Sequence, residues 1–288
     1  MSSDIRSTPS AAAFCAELVR SHDFERYATT LFVDPVSRRA LLALYAFNVE
    51  IVRVREQVSQ PLPGEIRLQW WSDMLAGTSH GGVEGNPVAA ELQLAIKAHA
   101  LPLAPLSRLI EEHHFDLYND PMPTLPALEA YLDDTGSALF GLAARILGHR
   151  SDAIDHAARH AGLAQGITRV LAMLPFDSSR RQLFVPLQVL ERHGSGLEQA
   201  FAGVETPTLR AALDQLVAEA KGHLATALAL LPDLPAEARP AFLPLALTQR
   251  DLARLSRADT NPFVPVARSR LATLWTLWRA QRSKPFRG

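Results

Sequence analysis

The run Asp34-Pro-Val-Ser-Arg-Arg-Ala-Leu-Leu-Ala-Leu-Tyr-Ala-Phe-Asn-Val-Glu-Ile-Val52 decides the fold class. Asp34 offers the short carboxylate of a helix N-cap, and Pro35 suits the first helical position, where a missing N–H costs no bond. Leu41, Leu42, Tyr45, Val49 and Val52 then recur at three- and four-residue steps, the period of a helix that buries a face. The same segment and its continuation carry a polar set, Asn48, Glu50, Arg53, Arg55 and Glu56, that stands out against the apolar background.

Helical periodicity extends outward from this run. Phe14, Leu18 and Val19 give a short first helix. Pro61 to Gly64 breaks the chain, and Leu68, Trp71 and Leu75 resume it. Gly81-Gly82 reads as a loop, Asn86-Pro87 as a cap, and 92–100 as helix. Further helices are predicted at about 103–118, 125–148, 152–174, 207–231, 236–257 and 264–282. Gly194 to Gly196 and Pro232 to Pro235 read as joints, without a composition shift at either. The expected organisation is one all-α domain over 1–288, with a short flexible N-terminus (1–10) and a basic C-terminal tail (280–288).

Apolar residues make up 48% of the 288, enough for a sizeable core. A net charge of −1 gives no field to attract nucleic acid. The single cysteine, Cys15, excludes a disulfide framework or a cysteine zinc cluster, reads as a core thiol and fits a reducing compartment. No run of eighteen apolar residues predicts a membrane span, and Met1 to Ser10 lacks the apolar core of a secretory signal. A cytoplasmic protein, or the mature form of an organellar one, is the expectation.

Arg26-Tyr-Ala-Thr-Thr-Leu-Phe32, Arg38 to Phe47, Tyr131-Leu-Asp-Asp-Thr-Gly-Ser137, Gly162-Leu-Ala-Gln165 and Arg180-Arg-Gln-Leu-Phe-Val-Pro186 resemble, in order and spacing, the squalene/phytoene synthases. The resemblance covers roughly residues 20 to 260. It implies an isoprenoid-synthase-type helical bundle around a central cavity. In working enzymes of that family two Asp-rich clusters on facing helices hold Mg²⁺, a cation that takes hard oxygen ligands, against a departing diphosphate. Aligned on those clusters, this chain places Val52 and Glu56 in the first, and Ala172 and Phe176 in the second. Arg53 and Arg55 crowd the first, and Asp177 lies one residue beyond the second, after Pro175. No catalytic or metal-ligating residue is therefore assigned, and Mg²⁺ would enter only if an atypical enzyme reading held.

Ala46-Phe-Asn-Val-Glu50, Ile66-Arg-Leu-Gln-Trp-Trp71, His156 to Gly166 and Ser179 to Pro186 resemble one branch of the family, the complex I assembly factor 6 proteins and their bacterial relatives. That likeness implies respiratory complex I subunits or assembly intermediates as partners. It also implies a place at the inner membrane, on the cytoplasmic side in a bacterium or the matrix side in a mitochondrion.

Tyr27, Asn48, Glu50, Arg53, Glu56, Asp116, Gln165, Arg169 and Arg180 are the candidate cavity or residual ligand-binding residues. Arginines among them suit a phosphate or phospholipid head group without metal. The alternative is structural: Glu50 pairs with Arg53, and Glu56 with Arg53 or Arg55. His156 and His160 are four apart on one helix face, with Asp152 one turn earlier, yet no third ligand is visible. In Glu111-Glu-His-His-Phe-Asp116 adjacent side chains point in different directions and cannot all serve one ion; the resemblance to a family stretch ending in Asp-Leu implies that Asp116 is a cavity wall residue. Trp70-Trp71 reads as core packing, or, if half exposed, as a docking surface.

After Asp259 the chain has no acidic residue but six basic ones, Arg268, Arg270, Arg279, Arg282, Lys284 and Arg287. Leu271, Leu274, Trp275 and Trp278 form an apolar stripe there. Trp275, Trp278, Arg279, Arg282 and Lys284 are the candidate contacts to an anionic membrane or a partner. The other reading is a last helix that uses the stripe to close the bundle. The functional expectation is a non-catalytic assembly factor for complex I. The competing readings are a prenyl-diphosphate-binding protein or prenyltransferase with an atypical site, and an isoprenoid or quinone carrier.

Overall fold

The computed structural model describes residues 10–78, 85–265 and 269–287. The Gly81-Gly82 loop, most of the N-terminal segment and Arg268 lie outside these residues. Among them the regular structure is helical, without strands.

The chain opens with α1 (Ala11–His22) and α2 (Phe24–Thr30), joined at Asp23, whose side chain caps α2 by accepting from the Arg26 N–H. α3 (Pro35–Val52) starts as its sequence dictates, with Asp34 accepting from the Val36 and Ser37 N–H groups. Every residue from Ala40 to Val49 on it is buried, so α3 is a central rod of the bundle and not a half-exposed face. It stops at Arg53, and a single turn, α4 (Val54–Gln57), follows.

Pro61 to Gly64 does not break the chain. It forms the first turn of α5 (Pro61–Ala76), where the N–H groups have no intrahelical partner and prolines remove nothing. α6 (Pro87–His99) is capped by Asn86 as predicted, and α7 (Leu103–Glu112) ends before a 3₁₀ turn over Phe115–Leu117. The predicted helix at 125–148 is three pieces: α8 (Leu125–Leu132), a π-helical turn over Asp133–Ser137, and α9 (Ala138–Ile146).

α10 (Asp152–Ser179) is the longest element, and it runs straight through Pro175. Sequence reading ended this helix at 174. Pro175 lies four residues before its end, so only one late hydrogen bond is given up and the last turn persists. α11 (Leu187–Arg192) and α12 (Leu197–Phe201) are short. α13 (Pro207–Leu230) packs along α10, and α14 (Pro244–Leu255) and α15 (Arg270–Gln281) close the bundle.

One contiguous apolar cluster runs from Cys15 to Phe286. α10 is pressed against the π turn, where an added Cβ at Gly162 would sit 2.2 Å from the Ser137 nitrogen. Only glycine permits this approach. Ser137 Oγ donates to the Arg159 carbonyl at 3.0 Å and locks it. Trp71 is buried edge-on to Phe47 at 5.3 Å, while Trp70 is half-buried beside it. Cys15 is buried, and its thiol is pushed up to about 12, chiefly by burial, with the Glu91 charge adding to it. It is inert, as its sequence context suggested.

Candidate functional site

A cavity of about 400 Å³ lies between α2, α10, α14 and α15. Gln165, Arg169, Ala172 and Phe176, one face of α10, form one wall. Asp23 and Arg26 form a second, Thr248, Asp251 and Arg254 a third, and Arg270 and Thr273 of α15 a fourth. Both second-cluster positions, Ala172 and Phe176, thus face the cavity, and they face it with hydrocarbon.

The polar end of the cavity is built on a buried ion pair. Arg26 Nη1 donates to Asp23 Oδ2 at 2.8 Å, and Nη2 donates to Gln165 Oε1 at 2.9 Å. Burial works to raise Asp23, but the charges of Arg26 and Arg169 more than offset it and hold the carboxyl below its usual range. Arg250, behind the wall, lies 3.7 Å from Glu25 and 3.2 Å from Asp251. The lining holds four arginines, Arg26, Arg169, Arg254 and Arg270, against three carboxylates, Asp23, Glu25 and Asp251. Since Arg250 also draws on two of those carboxylates, the cavity is biased towards an anion.

Beyond Arg169 lies a second polar set. Asp116 is buried and accepts from the Tyr131 hydroxyl at 3.0 and 3.2 Å, with His113 at 3.9 Å. Gln182 donates to the Asp116 carbonyl at 3.2 Å. Phe115, Tyr131 and Phe184 pack ring against ring around this carboxylate, at centroid distances of 5.9 to 6.2 Å. Burial raises Asp116, and His113, Tyr131, Arg169 and Arg55 only partly counter it. Asp177 is raised to about 6, first by burial and further by the Asp116 charge, against the pull of Arg169 and Arg180.

Of the residues singled out from the sequence, Gln165 and Arg169 line the cavity, and the others are placed elsewhere. Tyr27 packs against the core beside Phe24, and its neighbour Arg26 takes the cavity position. Asn48 is buried within α3. Glu50 faces a separate surface groove with Phe14, Trp70 and Asn86. Arg53 pairs with Glu56 at 3.9 Å and not with Glu50, and Arg180 approaches the same carboxylate at 3.9 Å. Asp116 belongs to the Tyr131 set. Asp23 and Arg254 were not singled out, and Arg270 was read only as part of the basic tail, because these residues come from the start and end of the chain. The capping position of Asp23 was the one local signal available.

Magnesium ions do not fit this donor set. Val52, Ala172 and Phe176 offer no oxygen, and Glu56 lies between two guanidiniums. Asp116 and Asp177 are both raised, chiefly by burial, so their ionised, ligating forms are less favoured than those of surface carboxylates. Among the described residues no group of three or more His, Cys, Asp or Glu can hold a metal ion. This includes the histidine pair. His156 and His160 meet at 3.2 Å, and His223 of α13, unseen in the sequence, reaches the other side of the His160 ring at 2.9 Å. The three imidazoles form a chain ending 3.6 Å from Glu129, and do not converge on a point.

At the far end, α15 turns Thr273, Leu277 and Ala280 inward. The predicted stripe therefore does not close the bundle: only Leu274 is partly covered, and Leu271, Trp275 and Trp278 are exposed. Arg279, Arg282 and Lys284 are exposed beside them. Phe286 is buried, so the last residues fold back onto the body.

Among the described residues helices pack about a cavity walled by α10, and the fold is an isoprenoid-synthase-type bundle by its likeness to solved squalene and dehydrosqualene synthases. Residues 19–279 match the squalene/phytoene synthase family, and the chain belongs to it. It is 34% identical over 257 residues to NADH dehydrogenase (ubiquinone) complex I, assembly factor 6 of Rattus norvegicus, covering 89% of this chain and 77% of that one. The Homo sapiens protein of the same name is 32% identical over 252 residues, covering 88% and 76%. The fold is similar to a squalene synthase from Alicyclobacillus acidocaldarius, with a TM-score of 0.75 at 21% identity, over 89% of this chain and 95% of that one.

Proposed function

We propose that this chain is a non-catalytic member of the squalene/phytoene synthase family that serves the assembly of respiratory complex I, acting on subunits or assembly intermediates at the inner membrane. The observation that carries the non-catalytic half is the pair of cluster positions: Ala172 and Phe176 face the cavity as hydrocarbon, and Glu56 is held between Arg53 and Arg180. The assembly half is supported by the names of the rat and human relatives. No described helix is long and apolar enough to cross a membrane, which is consistent with peripheral attachment. The test has two arms. Pure protein incubated with farnesyl or geranylgeranyl diphosphate and Mg²⁺ is expected to release no diphosphate, and release would restore the prenyltransferase reading. Deleting the gene is expected to lower complex I assembly and activity, and normal levels of both would refute the assembly role.

A carrier reading is compatible with this function and is favoured by the cavity itself. A space of about 400 Å³, lined by hydrocarbon at Leu171, Ala172 and Phe176 and by guanidiniums at Arg169, Arg254 and Arg270, suits an isoprenoid or lipid with an anionic head. Native mass spectrometry of the purified protein is expected to show such a molecule bound.

A further inference from the structure

The stripe on α15 is an apolar face that the fold leaves uncovered. Leu271 is 78% exposed, Trp275 62% and Trp278 42%, three large side chains at helical spacing on one face. The two indoles stack at 4.9 Å, and Arg282 lies over the Trp278 ring at 3.9 Å. A core helix would not leave two tryptophans outside while burying Thr273 and Ala280.

We propose that the outer face of α15 docks on the surface of an anionic phospholipid bilayer, with Leu271, Trp275 and Trp278 entering the head-group layer. Charge selects this occupant. Arg279, Arg282, Lys284 and Arg287 are all exposed at the C-terminal end of the same helix or just after it, and no acidic residue follows Asp259. Glu17, which feels the charge of Arg270, is already paired with Arg20 at 2.8 Å. Tryptophan places an apolar ring and a polar N–H at the depth where a bilayer offers both environments, and basic residues beside it meet lipid phosphates.

The position of α15 gives this docking a consequence. Its inner face contributes Arg270 and Thr273 to the cavity wall, and exposed Phe176 and Val264 also line the cavity. A bilayer against the outer face therefore lies one helix thickness from the cavity, within reach of an amphiphile leaving the membrane head first towards Arg270. The docking itself does not rest on the functional reading above, and its test uses vesicles free of isoprenoids, so the two can fail separately.

The experiment is flotation of the full chain with vesicles of phosphatidylcholine alone or with 30 mol% phosphatidylglycerol, at about 0.1 M and 1 M salt. Binding is expected only with phosphatidylglycerol at low salt. Replacing Arg279, Arg282 and Lys284 together by Gln is expected to weaken partitioning on the order of 100-fold, roughly fivefold per charge near the surface. Trp275→Ala with Trp278→Ala is expected to abolish flotation, while Trp275→Phe with Trp278→Phe retains it. Circular dichroism melts check that each variant is folded. Brominated lipids in the same vesicles should quench the fluorescence of the unaltered protein, a readout that needs no variant. Failure of the intact chain to float, or flotation indifferent to these substitutions, overturns the proposal and assigns the face to a protein partner.

Discussion

Asp177 gives a measurable handle on how the end of α10 is built. Its carboxyl is raised from 3.8 to about 6, with burial as the main cause. In the unfolded chain the group ionises near its ordinary value, so below about pH 4 it is neutral in both states and contributes nothing. Between pH 4 and 6 the folded state holds a proton that the unfolded state has lost, and stability falls as pH rises. Above about 6 the full penalty applies. Two units at about 1.4 kcal/mol each give an upper bound of roughly 3 kcal/mol. Partial solvent access around this side chain reduces the expected value to about 1–2 kcal/mol. Asp177→Asn keeps the shape and removes the charge. Guanidinium unfolding of both proteins at about pH 3.5 and pH 7.5 is expected to show similar stabilities at the lower pH. At the higher pH the variant should be more stable by that amount. An unaltered protein that gains stability over this range as much as the variant does would refute the burial of Asp177 as described.

Gly162→Ala is expected to lower stability by about 3 kcal/mol or more, read as a drop in Tm, because its methyl meets Ser137 backbone at 2.2 Å with no flexible group to yield. Arg26→Gln leaves Asp23 buried without its partner and should cost about 3–5 kcal/mol, with Asp23→Asn added to it recovering much of the loss in denaturant unfolding. His160 titrates below its ordinary value, first through burial and then through His223, His156 and Arg159. The unfolded chain therefore binds protons there more readily, so stability drops as pH falls through the usual histidine range. His160→Gln should flatten that limb in melts between pH 5 and 7.5.

Local signals made the frame of the fold legible. Asp34-Pro35 and Asn86-Pro87 start α3 and α6 where their capping chemistry requires, because a cap is satisfied within three residues of itself. Pro61 and Pro175 misled for the same local reason. A proline in a first or nearly last turn looks like a break in sequence, but it removes few or no hydrogen bonds in place. The hydrocarbon at Ala172 and Phe176 was legible as well, since residue identity needs no coordinates to read. The cavity wall was not. Asp23, Arg254 and Arg270 meet Gln165 and Arg169 only through the packing of α2, α14 and α15 on α10, and nothing near any of them in sequence announces the meeting. His223 joins His160 across 63 positions in the same way.

Hydrocarbon at the aligned cluster positions, beside cavity arginines, changes what such a cavity can do, and the change is one-sided. A guanidinium neutralises an anion and donates to its oxygens with fixed fork geometry, so affinity for a phosphate head survives the loss of the metal. A divalent cation does more: it draws electrons from the leaving oxygen and stabilises the charge that develops as the bond breaks. Arg169, Arg254 and Arg270 stand where they can do the first, and Ala172 and Phe176 stand where the second would have been organised. Binding can thus outlast turnover on the same scaffold. Restoring carboxylates at Ala172 and Phe176 alone would not reverse this, because Glu56 would remain between Arg53 and Arg180, with both guanidiniums opposing a cation on the facing helix.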